Sequence, residues 1–349
     1  VSPASQAGQP RPALTTTETT RHARIHGIGG YRPERVVTNE EICQRIDSSD
    51  EWIRQRSGII ERRLARPDES VIDMSEPAAR DAIEMAGIRP EQIGLVLMAT
   101  VTHPYQTPAA APLLALRLGI PDPAALDISA ACAGYCYGIS MATDMVRAGT
   151  VDYALVVGVE KLSDFTDFTD RGTAFIFGDG AGAAVVGPAE EPGVGPTVWG
   201  SDGENWDKIV QRESWTDLRD TLADGSAGED RWPAFSMQGQ AVFRWAVYSM
   251  APVARKAMAA AGVTAEDLDV FIPHQANMRI TDAMVKELKL PADVAVARDI
   301  AETGNTSAAS IPLAAARMLA SGEARSGDLA LQFGFGAGLV YAAQVVVLP

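Results

Sequence analysis

Cys132 closes the run Asp127-Ile-Ser-Ala-Ala-Cys132, where a strand-like stretch gives way to a helix-like one. A cysteine at such a turn has its sulfur over free backbone N–H groups and near the positive end of the helix dipole, which favours thiolate over thiol. The competing reading is a buried structural cysteine, the commoner fate of an isolated thiol. Cys136 follows one helical turn later, but no second pair and no histidine cluster stands nearby to complete a metal site. Cys43 has no chemical context and reads as packing. The second candidate is His274, in Pro273-His-Gln-Ala-Asn277 directly after the apolar run 270–272. Strand ends are where α/β folds put their reacting groups. Of four histidines, His22 and His26 lie in or beside the N-terminal tail. His103 is a rival after an earlier strand, although Pro104 and Tyr105 beside it suggest a pocket-lining loop. The third candidate is Asn305, at the tip of the tight turn Gly304-Asn-Thr-Ser-Ala-Ala-Ser310. Turns also use asparagine for backbone geometry alone.

The elements that must hold these groups repeat along the chain. Ser129-Ala-Ala-Cys132 has a near twin in Ser307-Ala-Ala-Ser310, where serine stands for the cysteine, so one copy keeps a nucleophile. Ala86-Gly-Ile88 with Ile93-Gly-Leu-Val96 recurs as Ala261-Gly-Val263 with Leu268-Asp-Val-Phe271. Asp152-Tyr-Ala-Leu-Val-Val-Gly158 reappears as Asp328-Leu-Ala-Leu-Gln-Phe-Gly334, and Gly178-Asp-Gly-Ala-Gly182 as Gly334-Phe-Gly-Ala-Gly338. A period of about half the chain means duplicated domains, not a short-period solenoid. Pattern and turn chemistry predict strands over 25–28 (closed by Gly29-Gly30), 93–100, 124–128 and 153–158. Helices are expected over 39–46, 75–86, 108–118 and 132–148, with Ser49 capping another. Apolar runs alternating with helices imply parallel strands covered on both faces, the α/β layered class. The organisation is then a tail over 1–22, a first half over 23–187 and a second half over 237–349. Between the halves, 188–236 carries Pro, Gly, Asp and Trp206, Trp215 and Trp232 and reads as a surface insertion of the lid or binding-loop kind.

Bulk composition fits a soluble enzyme core. With 349 residues, 46% hydrophobic and 21% charged, the chain can bury a large interior and is not disordered. A formal net charge of -15 opposes nonspecific binding to nucleic acid or anionic lipid, so any acidic partner must meet a local cluster of Arg and Lys. Three cysteines without paired spacing suit a reducing compartment, and the cytoplasm is the natural assignment. The first 22 residues lack an apolar segment and read as a loose tail, not a signal peptide, and no run of 18 apolar residues suggests a membrane span.

Taken in order, Asp127-Ile-Ser-Ala-Ala-Cys132-Ala-Gly, His274-Gln-Ala-Asn, Gly304-Asn305-Thr-Ser-Ala-Ala-Ser and Gly334-Phe-Gly-Ala-Gly-Leu closely resemble the β-ketoacyl-acyl carrier protein synthase III family. Ser49-Asp-Glu-Trp52 and Asp170-Arg171-Gly-Thr add two similar blocks, and the resemblance runs from about residue 23 to the end. It departs mildly at Ala337 and Ser57, where glycine and threonine are common. The resemblance implies a thiolase-like fold of two duplicated five-layered α-β-α-β-α halves, assembled as a homodimer. It implies that Cys132 accepts the acyl group of a small acyl-coenzyme A, with coenzyme A a substrate and no cofactor or metal required. His274 and Asn305 would then support decarboxylation of malonyl-acyl carrier protein, and the backbone N–H groups of Cys132 and Ala337 would form the oxyanion hole. By the same similarity Trp52, Arg56, Arg171 and Asn277 would bind coenzyme A, and Arg244, Arg279 and Lys286 would receive the acidic carrier protein. The product would start fatty acid or aromatic polyketide synthesis. Another thiolase-fold acyltransferase and a Cys-His thioester hydrolase are the alternatives. A thiolase needs a second cysteine near the C-terminal glycine loop, where Phe333 and Phe335 stand instead. Gly178-x-Gly-x-Gly and Gly334-x-Gly-x-Gly lack the spacing and the following helix of a dinucleotide fingerprint.

Overall fold

The computed structural model describes residues 21–223 and 232–349; residues 1–20 of the expected tail and 224–231 of the expected insertion lie outside the described residues. The first half supplies strands β1 (His22–Tyr31), β2 (Arg35–Thr38), β3 (Glu61–Leu64), β4 (Ile93–Ala99), β5 (Ala124–Ile128), β6 (Tyr153–Glu160) and β7 (Gly180–Ala189). Its helices are α1 (Asn39–Cys43), α2 (Asp50–Ser57), α3 (Val71–Ala86), α4 (Ala111–Leu118) and α5 (Gly134–Arg147). There follow β8 (Val198–Ser201), β9 (Ile209–Gln211), α6 (Trp215–Ala223), β10 (Phe235–Met237), α7 (Gly239–Tyr248), α8 (Ala251–Ala261), β11 (Val270–Pro273) and α9 (Met278–Leu288). The chain ends with β12 (Ala295–Val296), α10 (Ile300–Thr303), α11 (Ser310–Ser321), β13 (Leu329–Gly336) and β14 (Val340–Val347).

Local chemistry accounts for the borders. Ser70 and Asp73 form a reciprocal capping box that starts α3 four residues ahead of its expected position. Gly87 and Gly262 end α3 and α8 in the left-handed conformation, φ 65 and 73, as the sequence echo requires of equivalent positions. Gly29 does not close β1, which runs on to Tyr31. The glycines of this strand serve packing: a Cβ at Gly27 or Gly29 would run into the Ala82 or Ala78 carbonyl of α3. The strand also begins inside the expected tail, because Arg21 ties the chain down to the Val146 and Val151 carbonyls (2.6 and 2.5 Å) and to Asp152.

Two five-stranded sheets carry the molecule, in the orders β1-β7-β6-β4-β5 and β8-β14-β13-β11-β12. In each, three strands pair in parallel (β6-β4-β5 and β13-β11-β12), and one reversed strand, β7 or β14, joins them antiparallel to the edge strand β1 or β8. The sheets are therefore mixed, not wholly parallel: an apolar run records burial on both faces, and direction is set by the connections. The stretch 188–236 is only in part an excursion, since β8 is the second sheet's edge strand, the counterpart of β1.

Helices α5 and α11 fill the space between the sheets, packing Tyr135, Ile139, Ile311 and Met318 against Leu97, Val156, Ile272 and Val346. Helices α3 and α4 cover the outer face of the first sheet, and α8 and α9 that of the second. The five α-β-α-β-α layers are thus shared by the two halves, each contributing a sheet, its outer helices and one central helix.

The repeat's register differs at the nucleophile turn from the one the letters suggest. Short 3-10 turns at Ala131–Ala133 and Ser307–Ala309 precede α5 and α11, and each opens on a residue of positive φ, Ala131 (42°) and Ser307 (48°). The structural counterpart of Cys132 is therefore Ala308, and Ser310 aligns with Gly134. The matching letters of Ser129 and Ser307 sit two positions out of register.

Candidate active site

Cys132 is half-buried on the 3-10 turn between β5 and α5. Asp127, just before it on β5, accepts from the Ala110 and Ala111 N–H groups at 2.7 and 2.9 Å and so anchors the start of α4. The end of β13 presses on the turn from the other half. A Cβ on Gly336 would lie 2.7 Å from the Cys132 Cβ and 2.8 Å from its sulfur, so only glycine leaves the nucleophile its space. The backbone N–H groups of Cys132 and Ala337 and the Ser307 hydroxyl favour the charged form of the sulfur. Burial outweighs them and pushes the thiol up to about 12, with the nearby Glu160 carboxylate adding to the rise. Cys132 stands on the tight turn that leads into α5, where desolvation opposes the N–H groups.

His274 follows β11 and is buried. Its Nδ1 lies 2.8 Å from Ser310 Oγ at the head of α11, and its ring meets Phe335 edge-on at 5.4 Å. Ser310 Oγ also accepts from the Gln275 N–H at 3.4 Å. Where Ser310 donates to Nδ1, the proton of the imidazole sits on Nε2 and makes that nitrogen a donor. Burial drives the histidine down to about 3, so the ring is neutral. Asn305 is held by its backbone between Ile176 and Gly178, and its Oδ1 accepts from the Ser307 N–H at 2.8 Å. That contact orients the amide so that Nδ2 is left to donate.

Cys132, His274 and Asn305 line one cavity of about 690 Å³, together with Phe175, Phe177, Phe335 and Gly336. Trp52, Arg56, Asn277, Arg244 and Arg279 line it as well. The Trp52 ring is flanked by the guanidinium groups of Arg56 (5.7 Å) and Arg171 (5.4 Å). Asn277 caps α9, accepting from the Arg279 N–H, and donates to the Arg56 carbonyl, so its amide joins α9 to α2. Arg279 lies over Phe243 of α7. Lys286, farther along α9, is not among the lining residues. Arg62 is wholly buried behind the site and bonds the Val37 and Phe175 carbonyls and Asn39, fixing the segment that carries Phe175 and Phe177.

His103 belongs to a second cavity of about 1030 Å³, with Thr100, Val101, Tyr105, Gln106, Asp127, Trp215 and Trp232, and is no rival to His274. Cys136 is packed in the central layer, and Cys43 is half-buried beneath α2. Among the described residues no group of His, Cys, Asp or Glu could hold a metal ion, and no helix is long and apolar enough to cross a membrane.

Sequence reasoning passed over Glu160 and the side chains of Ser307 and Ser310. Glu160 ends the apolar strand β6 and is fully buried, with its carboxylate bonded to Thr100, Val101, Thr102 and Ser307. A charged residue closing an otherwise apolar strand was the available signal.

A five-layered sandwich of two equivalent halves, with a cysteine on one central turn, is the thiolase-like architecture of acyl-transferring enzymes. Residues 126–203 match the family described as 3-oxoacyl-[acyl-carrier-protein (ACP)] synthase III, and residues 258–348 match its C-terminal domain. The chain is 60% identical over 328 residues to a β-ketoacyl-[acyl-carrier-protein] synthase III of Streptomyces glaucescens, covering 94% of this chain and 97% of that protein. It is likewise 60% identical to synthase III 1 of Streptomyces coelicolor, with the same coverage. Among solved structures, the priming β-ketosynthase of the R1128 polyketide pathway superposes with a TM-score of 0.92 at 46% identity, over 97% of this chain and 99% of that one. The Aquifex aeolicus synthase III superposes with a TM-score of 0.85 at 36% identity, over 93% and 99%. The chain belongs to the 3-oxoacyl-[acyl-carrier-protein] synthase III family and is an acyl-transferring condensing enzyme.

Proposed function

We propose that the chain transfers a short acyl group from coenzyme A to Cys132 and condenses it, with loss of carbon dioxide, onto malonyl-acyl carrier protein. The β-ketoacyl product starts a fatty acid or aromatic polyketide chain. The observation that carries this reading is the convergence on one cavity of a thiol and two separate sets of hydrogen-bond donors. Such a condensation develops negative charge on two different oxygens. On the acyl oxygen the charge is met by the N–H groups of Cys132 and Ala337; on the malonyl thioester oxygen it is met by His274 Nε2–H and Asn305 Nδ2. A neutral imidazole suits the second task, because it donates without bringing a charge into an apolar pocket. A Cys-His hydrolase would instead need that nitrogen as a proton acceptor, with the imidazole proton on Nδ1, and would leave the second set of donors without a task.

Coenzyme A enters by this reading along α2. Its adenine stacks on Trp52, and Arg56 and Arg171 stand ready for base and phosphates. Asn277 serves the same site by holding α9 to α2. Arg244, Arg279 and Lys286 receive the acidic carrier protein against the overall charge of -15. A second copy of the chain pairs with the first; the edge strand β5 with its exposed Leu126, and the exposed Tyr105, support that reading. By this reading the Tyr105-Gln106 loop of the pairing copy and the insertion carrying Trp215 shape the starter's pocket.

Intact-protein mass spectrometry tests the assignment. Incubation with a panel of short acyl-coenzyme A thioesters should add the mass of one acyl group to the wild type and none to Cys132→Ala, and malonyl-acyl carrier protein should discharge it as a β-ketoacyl carrier product. No adduct with any thioester, or an adduct lost only to water, would overturn it.

A further inference from the structure

Among the described residues Arg62 is the largest wholly buried side chain and forms no ion pair. Burying an unpaired cation is costly, and a hydrocarbon would fill the same space without that cost. What a hydrocarbon cannot do is donate in three directions. Arg62 Nη1 donates to the Val37 carbonyl (3.0 Å), and Nη2 donates to Asn39 Oδ1 (2.7 Å) and to the Phe175 carbonyl (2.9 Å). We propose that Arg62 is a positioning residue that locks the helix carrying Trp52 to the turn carrying Asn305, so that one buried guanidinium aligns the sites of both half-reactions. The proposal rests on Trp52 holding coenzyme A and on Asn305 serving the condensation. Arg62 itself does not line the cavity.

The first arm runs through Asn39, which opens α1 and is wholly buried. A guanidinium offers donors only, so the amide oxygen of Asn39 must face Arg62 and its Nδ2 must face the other way. There Nδ2 donates to Asp50 Oδ1 and to the Ile59 carbonyl, both at 2.8 Å. Asp50 is the first residue of α2 and Ile59 follows its closing residue, Gly58, so one amide grips both ends of the helix. Trp52 and Arg56 lie on the span between them. By fixing which way the Asn39 amide faces, Arg62 sets the seat of α2.

The second arm is the Phe175 carbonyl. The segment 175–178 pairs with the Asn305 turn: the Asn305 N–H donates to the Ile176 carbonyl (2.9 Å) and the Gly178 N–H to the Asn305 carbonyl (3.0 Å). The stem of Arg62 backs this pairing. A Cβ at Gly304 would lie 3.1 Å, and one at Gly178 3.3 Å, from the Arg62 Cβ, so stem and turn are in close contact. The two arms meet at the cavity wall, where the Trp52 ring stands edge-on to Phe175 at 5.5 Å. A closed circuit of Arg62, Asn39, α2, Trp52 and Phe175 thus stands behind the site.

The test compares two cuts in the full chain. Arg62→Met keeps the stem and removes every donor. Asn39→Asp keeps an acceptor for Arg62 but turns an oxygen, in place of Nδ2, towards Asp50 and the Ile59 carbonyl. Two quantities are measured: the dissociation constant of coenzyme A by titration calorimetry, which needs no turnover, and kcat for condensation at saturating acyl-coenzyme A and malonyl-acyl carrier protein. Arg62→Met should weaken coenzyme A binding by about tenfold and lower kcat by about tenfold. Asn39→Asp should weaken coenzyme A binding by about as much and keep kcat within about twofold of the wild type, because the Phe175 arm survives. A merely structural role predicts a lower unfolding temperature with both constants unchanged in the folded protein, and that outcome overturns the proposal. So does an Asn39→Asp variant that binds coenzyme A as the wild type does, a result that decides the matter even if Arg62→Met fails to fold. Trp52→Ala separates this failure from that of the underlying reading. Coenzyme A binding that survives Trp52→Ala overturns both, whereas binding that needs Trp52 and ignores Arg62 and Asn39 overturns the arginine's role alone.

Discussion

His274 lines the cavity with its Nδ1 bonded to Ser310 Oγ, which leaves Nε2 for the substrate. Because His274 and Asn305 stabilise the malonyl-derived enolate in the proposed reaction, His274→Ala and Asn305→Ala should each lower condensation by about 10²–10³. Acyl-enzyme formation by either variant, followed by mass, should stay near the wild-type rate; parallel loss of both steps would contradict the division of labour. Glu160 carries a second, thermodynamic prediction. Its folded-state value of about 7 lies above the ordinary carboxylate value of 4.5, so the protonated form is the one the native state favours. The native state bears no cost from it below 4.5, and the cost accumulates as pH rises through 7. Wild type should therefore lose about 3 kcal/mol relative to Glu160→Gln across that window, as read by urea denaturation at a series of pH values. A difference independent of pH would mean that Glu160 does not titrate there.

At the level of elements, the site is made where each half's strand end presses on the other half's turn. Gly334 and Gly336 of β13 lie against Cys132 and Ala133, and Gly158 of β6 lies against Ala308 and Ala309. An added methyl at Gly336 falls on the sulfur, so Gly336→Ala should displace the nucleophile and cost about 10²-fold or more in acylation. The contrast is Gly87→Ala at the end of α3. Its methyl meets nothing within 4 Å but must adopt φ 65, so it should cost about 1–2 kcal/mol of stability and leave acylation intact. Equal loss of acylation in both variants would show that the first effect is not local.

Across the whole molecule the main tension is electrostatic. A chain of charge -15 that accepts an acidic carrier protein must steer it to a restricted basic region, and Arg244, Arg279 and Lys286 are proposed to form it. None of the three forms an ion pair among the described residues, so their charge is available to a partner. Arg279→Glu should raise KM for carrier-bound malonyl several-fold with kcat unchanged, and added salt should raise the wild-type KM in the same way. A KM insensitive to both would place docking elsewhere.

By itself the sequence determined the duplicated α/β plan and the three side chains that line the cavity. Each rests on a local signal: Cys132 at a strand-to-helix turn, His274 at a strand end, Asn305 at the tip of a glycine turn. Ser49 as a helix cap was equally legible, since the cap and its Trp52 N–H lie within one turn. What only the tertiary structure decided depends on residues far apart in the chain. Strand direction in the mixed sheets follows from connections that an apolar run does not encode. The true partner of Cys132 in the repeat, Ala308, emerged from backbone angles where matching letters pointed to Ser310. Glu160 and Ser307 stand 147 positions apart and meet because two sheets close on a shared layer of helices. That closure also raises the thiol's pKa, since desolvation is a property of the assembled interior.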